Sequence, residues 1–165
     1  MSRSLIIRPA RPGDESQIRQ LIEELAEYEK LRHEAIATDE HLRQALFSSK
    51  PDAEVILAEW EGACCGFALF FHNFSTFLGR QGLYLEDLFV KPNFRGQGIG
   101  KALLQRLAAI ARDRGCGRMD WQVLNWNTPA IGFYHTLGAN PLEDWTTFRL
   151  TGDALEKLAS KADSQ

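Results

Sequence analysis

Cysteine is scarce in this chain, with three among 165 residues and no C-x-x-C pair. That excludes a disulfide framework. Cys64 and Cys65 sit side by side, so on a strand they would face opposite ways. They read as reduced thiols of a cytoplasmic protein. The four histidines, His33, His41, His72 and His135, lack metal-ligand spacing, and no metal is expected. Long hydrophobic runs are missing too. The first, "SLII", is broken by Arg8 and Pro9, which excludes a signal peptide or membrane span as its reading. Basic runs are absent and the net charge is -3, so neither nucleic acid nor a membrane is expected as a partner. No linker, internal repeat or low-complexity segment interrupts the chain, and one domain over 1–165 is expected.

What remains is patterned like a folded α/β protein, 44% hydrophobic and 25% charged. "LIIRPA" (5–10) predicts a strand. Asp14 and Gln17 form a candidate capping box for a helix whose apolar positions are Ile18, Leu21, Ile22, Leu25 and Tyr28. A short helix over about 38–47 would start at Thr38. "AEVILAEW" and "CCGFALFFHNF" predict a hairpin turning at Glu61-Gly62. "GLYLEDLFV" (82–90) is a further strand, "GKALLQRLAAIARDRG" a helix with Gly115 as its stop, and "RMDWQVL" (118–124) a strand. "TPAIGFYHTLG" predicts a helix capped by Thr128 with Pro129 at its first position, and "WTTFRLT" (145–151) a last strand. The order is β-α-α-β-β-β-α-β-α-β, a mixed sheet with helices on both faces.

Three glycines alternate at Gly96, Gly98 and Gly100 in "VKPNFRGQGIGKALLQRL", between a strand and a helix. Helix N-termini present unpaired N–H groups and the positive end of the macrodipole, and glycines let an anion approach them. The spacing is one residue short of a P-loop, and Ala102 stands where a magnesium-holding hydroxyl belongs. A dinucleotide fingerprint would need its third glycine one position later, which weakens a nucleotide-binding oxidoreductase reading. Arg95, Gly98 and Gly100 do satisfy [QR]-x-x-G-x-[GA]. A glycine-rich strand–helix turn with no ligand is the plain alternative.

That last pattern resembles the pyrophosphate-binding motif of the GNAT N-acetyltransferases. "LYLEDLFVKPNFRGQGIG", "VLNWN" followed by "GFYHTLGA", and "AEYEKL" resemble the diamine (spermidine/spermine) N-acetyltransferase branch. "FSTFLGR" and "YEKL" are closest to its thialysine sub-branch. The resemblance covers nearly the whole chain. It implies a mostly antiparallel sheet of six to seven strands, acetyl-CoA as acetyl donor, a small-molecule amine as acceptor, and a homodimer.

Transfer from a thioester to an amine sets demands on a site. An amine of pKa about 10.4 arrives protonated and must lose a proton, the developing oxyanion needs donors, and the departing thiolate gains from protonation. Glu86 and Asp87 are carboxylates inside an apolar strand, where an unpaired charge is costly. The resemblance gives Glu86 the role of deprotonating and holding the amine, with Asp87 as substrate or structural partner. It gives Leu88, Phe89 and Val90, otherwise plain core residues, backbone contacts to the pantetheine arm. Arg95, Gly96, Gln97, Gly98, Ile99, Gly100 and Lys101 are the expected diphosphate loop, Lys101 touching phosphate or merely solvated. Tyr134 would protonate the leaving sulfur and Asn127, seven residues earlier, would bond the coenzyme arm or simply cap a helix. Tyr28 and Trp145 are candidate substrate walls, though Trp126 and Trp145 also suit a core. "YEKLRHEA" mixes Glu29 and Glu34 with Lys30, Arg32 and His33, which disfavours spermine and spermidine and suits a smaller amine. The competing reading is a non-catalytic acetyl-CoA-binding sensor or assembly module.

Overall fold

The computed structural model describes residues 4–162. Its contacts divide the chain into two compact units, 1–124 and 125–165.

The first unit holds a five-stranded sheet of order β1-β2-β3-β4-β5. The strands are β1 (Leu5–Pro9), β2 (Glu54–Trp60), β3 (Ala63–Ser75), β4 (Arg80–Val90) and β5 (Met119–Trp121). The first four run antiparallel in sequence order, and β5 lies parallel to β4. The β2–β3 hairpin turns on Glu61 and Gly62, both at positive φ (51° and 83°), the geometry whose twist suits adjoining strands. Helices α1 (Glu15–Tyr28), α2 (Asp39–Phe47) and α3 (Ile99–Asp113) complete the unit.

The faces follow from the two-residue alternation of strands. Val55, Leu57, Phe67 and Phe89 face Ile18, Leu21 and Leu25 of α1 and Leu42 and Leu46 of α2, forming one buried cluster. Ile56, Ala68, Phe70 and Leu85 are buried on the other face. There Val90 meets the start of α3, and Arg114, just beyond its end, lies 5.9 Å from the Phe70 ring. Helices on both faces, a mostly antiparallel sheet and the α3 stripe are as the sequence predicts.

One local expectation changes. Asp14 does sit at the N-cap of α1, but its side chain makes no cap bond. Arg8 takes it at 2.8 and 3.2 Å, and the Arg11 amide adds a third contact. A charge-assisted pair outcompetes a capping bond. At α2 the capping box forms, between Thr38 and His41.

The second unit contains α4 (Thr128–Thr136) and α5 (Gly152–Ala159). Asn127, not Thr128, caps α4, its Oδ1 accepting from the Ala130 amide at 3.4 Å. None of the described residues in this unit is fully buried, and Leu142, Trp145 and Phe148 are strongly exposed. The strand expected at 145–151 is absent, so the described residues hold five strands rather than six or seven. Aromatic and β-branched composition marks a segment fit for a pleated surface, yet a strand exists only within a ladder. No helix among the described residues is long and apolar enough to cross a membrane.

Candidate active site

The centre of the first unit is a strand that loses its neighbour. Leu83, Tyr84 and Leu85 of β4 pair with Met119, Asp120 and Trp121 of β5, and the ladder ends there. β4 continues to Val90, paired there, among the described residues, with β3 alone. The cause is local. Leu69 of β3 opposes Asp87, and the next residue, Phe70, opposes Leu85, so Glu86 is an extra residue in a β-bulge. The Lys91 amide donates to the Cys65 carbonyl on β3. By alternation, residues 90 and 88 turn their backbone groups the other way, towards the edge that β5 leaves open. The Gly66 position lets β3 follow this strand closely, since a Cβ there would lie 2.7 Å from the Phe89 carbonyl.

Beyond Val90, a 3-10 turn at Pro92–Phe94 leads into Arg95 and the glycines. Gly96 and Gly98 have φ of 76° and 79°, the left-handed region that side chains disfavour. Gly98 caps α3 with no side chain to offer. The first intrahelical bond runs from the Ala102 amide to the Gly98 carbonyl, leaving the amides of Ile99, Gly100 and Lys101 ahead of it at the positive helix end. Gly100 differs from the other two. It is helical, and a Cβ there would meet only Val90 at 3.8 Å, an ordinary contact. Nothing among the described residues requires glycine at this position, and its bare surface leaves the helix start open to a ligand. The cradle, with those amides at its floor and Arg95, Gln97 and Lys101 exposed beside it, has the shape and charge that an anionic diphosphate would fit.

The carboxylates lie on the same strand. Glu86, at the bulge, is exposed. Asp87 shares the α1 face with Leu69 and Phe89. Burial pushes its pKa up to about 6, with further upward pressure from Glu86 and Glu29. The Glu29 carboxyl, beside Tyr28 at the end of α1, is also raised by burial. Glu29 thus joins the pair expected from sequence. Its adjacency to Tyr28 in "YEKL" is the signal that could have placed it there. Tyr28 is tied to the glycine turn through Arg95, whose guanidinium carbon lies 4.8 Å from the ring centre.

Asn127, Tyr134 and Trp145 belong to the second unit. Asn127 caps α4, Tyr134 sits on that helix with its ring 5.9 Å from that of Phe133, and Trp145 is exposed just after a turn. The adjacent cysteines Cys64 and Cys65 are unsuited to covalent work. Cys65 is fully buried, donates to the Ala58 carbonyl at 3.3 Å, and burial pushes its pKa up to about 11. Burial raises Cys64 as well. Thiols held protonated are weak nucleophiles. Among the described residues, no group of three or more His, Cys, Asp or Glu side chains is placed to hold a metal ion.

The chain matches the Acetyltransferase (GNAT) family over residues 17–139. It is 41% identical to the thialysine N-epsilon-acetyltransferase of Sus scrofa over 169 residues, covering 96% of this chain and 99% of that protein. The chain belongs to the GNAT acetyltransferase family. Another relative is the L-ornithine N5-acetyltransferase of Arabidopsis thaliana, 33% identical over 197 residues, covering 92% of this chain and 86% of that one. An integron cassette protein of V. cholerae superposes with a TM-score of 0.80 at 30% identity, covering 96% of this chain and 99% of that one. The aminoglycoside N-acetyltransferase AAC(6')-Iy, solved with CoA, shares the fold at a TM-score of 0.73 and 20% identity, over 92% of this chain and 98% of that one. GNAT enzymes use acetyl-CoA, and this GNAT chain is an acetyltransferase acting on amines.

Two outcomes follow. Gly100→Ala should raise thermal stability, because alanine in a helix is favoured by about 0.5–1 kcal/mol, while weakening acetyl-CoA binding measured by calorimetry. Weaker folding with unchanged affinity would contradict the cradle. Asp87 gives a pH signature. Its carboxyl holds a proton to a higher pH when folded than when unfolded, so its contribution to stability falls as pH rises from about 4 to about 6 and stays unfavourable above. Asp87→Asn should therefore raise the melting temperature of the free protein at pH 8 by more than at pH 4.5. An equal change at both values would show that Asp87 is not perturbed.

Proposed function

We propose that this acetyltransferase passes the acetyl group of acetyl-CoA directly to a primary amine of a small molecule, a thialysine- or lysine-like amino acid or a short diamine. The observation that carries the reading is the open edge of β4 from Glu86 to Val90, which runs into amides gathered at the start of α3. Acetyl-CoA supplies the acyl group as an activated thioester. The amides of residues 98–101 hold its diphosphate, and the backbone groups of Leu88 and Val90, with those of Phe89 beside them, align the pantetheine arm. Asn127 adds a hydrogen bond to that arm.

Glu86, exposed at the bulge, accepts the amine proton through water. Asp87 and Glu29 supply negative charge for a cationic acceptor, and Tyr28 and Trp145 form its walls. The Tyr134 hydroxyl hands its proton to the departing sulfur. Direct transfer is supported by Cys64 and Cys65, whose thiols burial pushes upward and so makes poor carriers of an acyl group.

The thialysine and ornithine acetyltransferases among the relatives favour the side amine of an amino acid. Lys30, Arg32 and His33 near the end of α1 act in the same direction, since cations there repel a polycation. We read 1–165 as one catalytic domain, because the family match runs across the division at residue 124. A homodimer fits the exposed Trp145, Phe148 and Leu150, and a cytoplasmic location fits three free cysteines.

Purified protein should release free thiol from acetyl-CoA only when an amine is added, tested over lysine analogues, ornithine, diamines and polyamines. Coenzyme binding without turnover on any amine would favour a non-catalytic module. Tyr134→Phe should lower kcat by about a hundredfold or more, with a much smaller change in coenzyme affinity. Unchanged turnover would remove the general-acid role.

A further inference from the structure

Arg95 does more in this fold than begin the glycine turn. Its Nε donates to the Val90 carbonyl at 2.9 Å, closing a loop from the end of β4 onto the turn. The same guanidinium lies 4.8 Å from the centre of the Tyr28 ring and 5.4 Å from that of Phe89. Phe89 is buried in the core, so it gives the contact a fixed side, whereas Tyr28 is 40% exposed. One planar cation therefore joins three elements: the end of α1, the end of β4 and the glycine turn.

The chain leaving α1 turns through a left-handed residue. Lys30, two residues past Tyr28, sits at φ 62°, a left-handed position that costs a residue with a Cβ roughly 1–2 kcal/mol. The Lys30 amide bonds back to the Glu27 carbonyl and the Leu31 amide to the Ala26 carbonyl, which sets the backbone direction but not the Tyr28 ring. Arg95 holds that ring from the other side. The flat, always-charged guanidinium suits both tasks, stacking on rings while Nε donates in its own plane. A lysine ammonium offers neither the plane nor a fixed donor.

We propose that Arg95 is a positioning residue that couples the coenzyme turn to the amine side, holding Tyr28 and the adjoining Glu29 against β4 once the turn is fixed by its ligand. This rests on the reading of the turn as the coenzyme site and of Tyr28 as an amine-side wall. An anion bound to amides 98–101 immobilises the backbone on which Arg95 stands. The restraint then passes through the guanidinium to residues 27–31. The two substrates thereby assist each other, and by linkage the assistance is mutual.

The test is hydrogen exchange with CoA as the probe, on the wild-type chain, Arg95→Ala, Arg95→Lys and Tyr28→Ala. CoA should slow exchange at residues 96–101 in all four. It should slow exchange at 27–31 about two- to fivefold in the wild type alone, the range expected of one cation–π contact at an exposed site. Protection at 96–101 with none at 27–31 in the wild type overturns the coupling, as does its survival in Arg95→Ala. No protection at 96–101 in the wild type overturns the coenzyme reading itself, and the coupling with it. On an amine that is turned over, Arg95→Ala and Tyr28→Ala should each raise its KM about two- to fivefold, and the double variant no further. Tyr28→Phe, which keeps the ring, should keep the CoA-dependent protection at 27–31. Additive effects in the double variant contradict the proposal.

Discussion

A strand inside a sheet must pass its amides and carbonyls to neighbours on both sides, and β4 does so only as far as Leu85. The extra residue at Glu86 shifts the register against β3, and the β5 ladder stops one residue earlier. Five residues of central strand are left with one open edge. A protein core rarely tolerates such an edge, because unsatisfied backbone groups are costly there. Val90 resolves part of the problem internally, its carbonyl accepting from Arg95. The rest of the edge is available to an extended, amide-bearing ligand, and the pantetheine arm of CoA is one.

Everything else in the first unit arranges charge around that edge. The positive end of α3 follows immediately, with two left-handed glycines making the bend and a third leaving the surface bare. The carboxylates Glu86 and Asp87 lie at the other end of the gap, with Val90 three to four residues on, or about 10–13 Å along an extended chain. On the proposed reading, an anionic diphosphate and a cationic amine would be drawn to opposite ends of one strand. The strand between them is where an acyl group would sit. The raised pKa of Asp87 shows the strain of placing negative charge on the α1 face. A bound ammonium would relieve it.

Much of this was legible in the sequence because it is local. Gly96 and Gly98 are demanded by backbone angles that no other residue meets easily, and the α3 stripe of Ile99, Leu103 and Leu107 repeats with the helix period. Glu61-Gly62 marks its own turn. What could not be read depends on partners distant in sequence. The bulge at Glu86 exists only relative to β3, and no residue type announces it. The Asp14 capping box yields to Arg8, itself shared with Glu59 fifty-one residues away. Residues 145–151 carry the composition of a strand, yet in the structure they join no ladder. Glu29 reads as one charge in a mixed segment until the fold brings its field to Asp87.

The central claim, that amides at the start of α3 grip a diphosphate and so align an acyl donor along the open edge of β4, can be tested by shortening the ligand. Calorimetry should compare acetyl-CoA with acetyl-pantetheine, which keeps the thioester and arm but lacks the diphosphate. Loss of two or more charge-assisted hydrogen bonds predicts a fall in affinity of about a hundredfold or more, and a smaller salt dependence for the short ligand. Affinities within about threefold of each other, with equal salt dependence, would contradict the account.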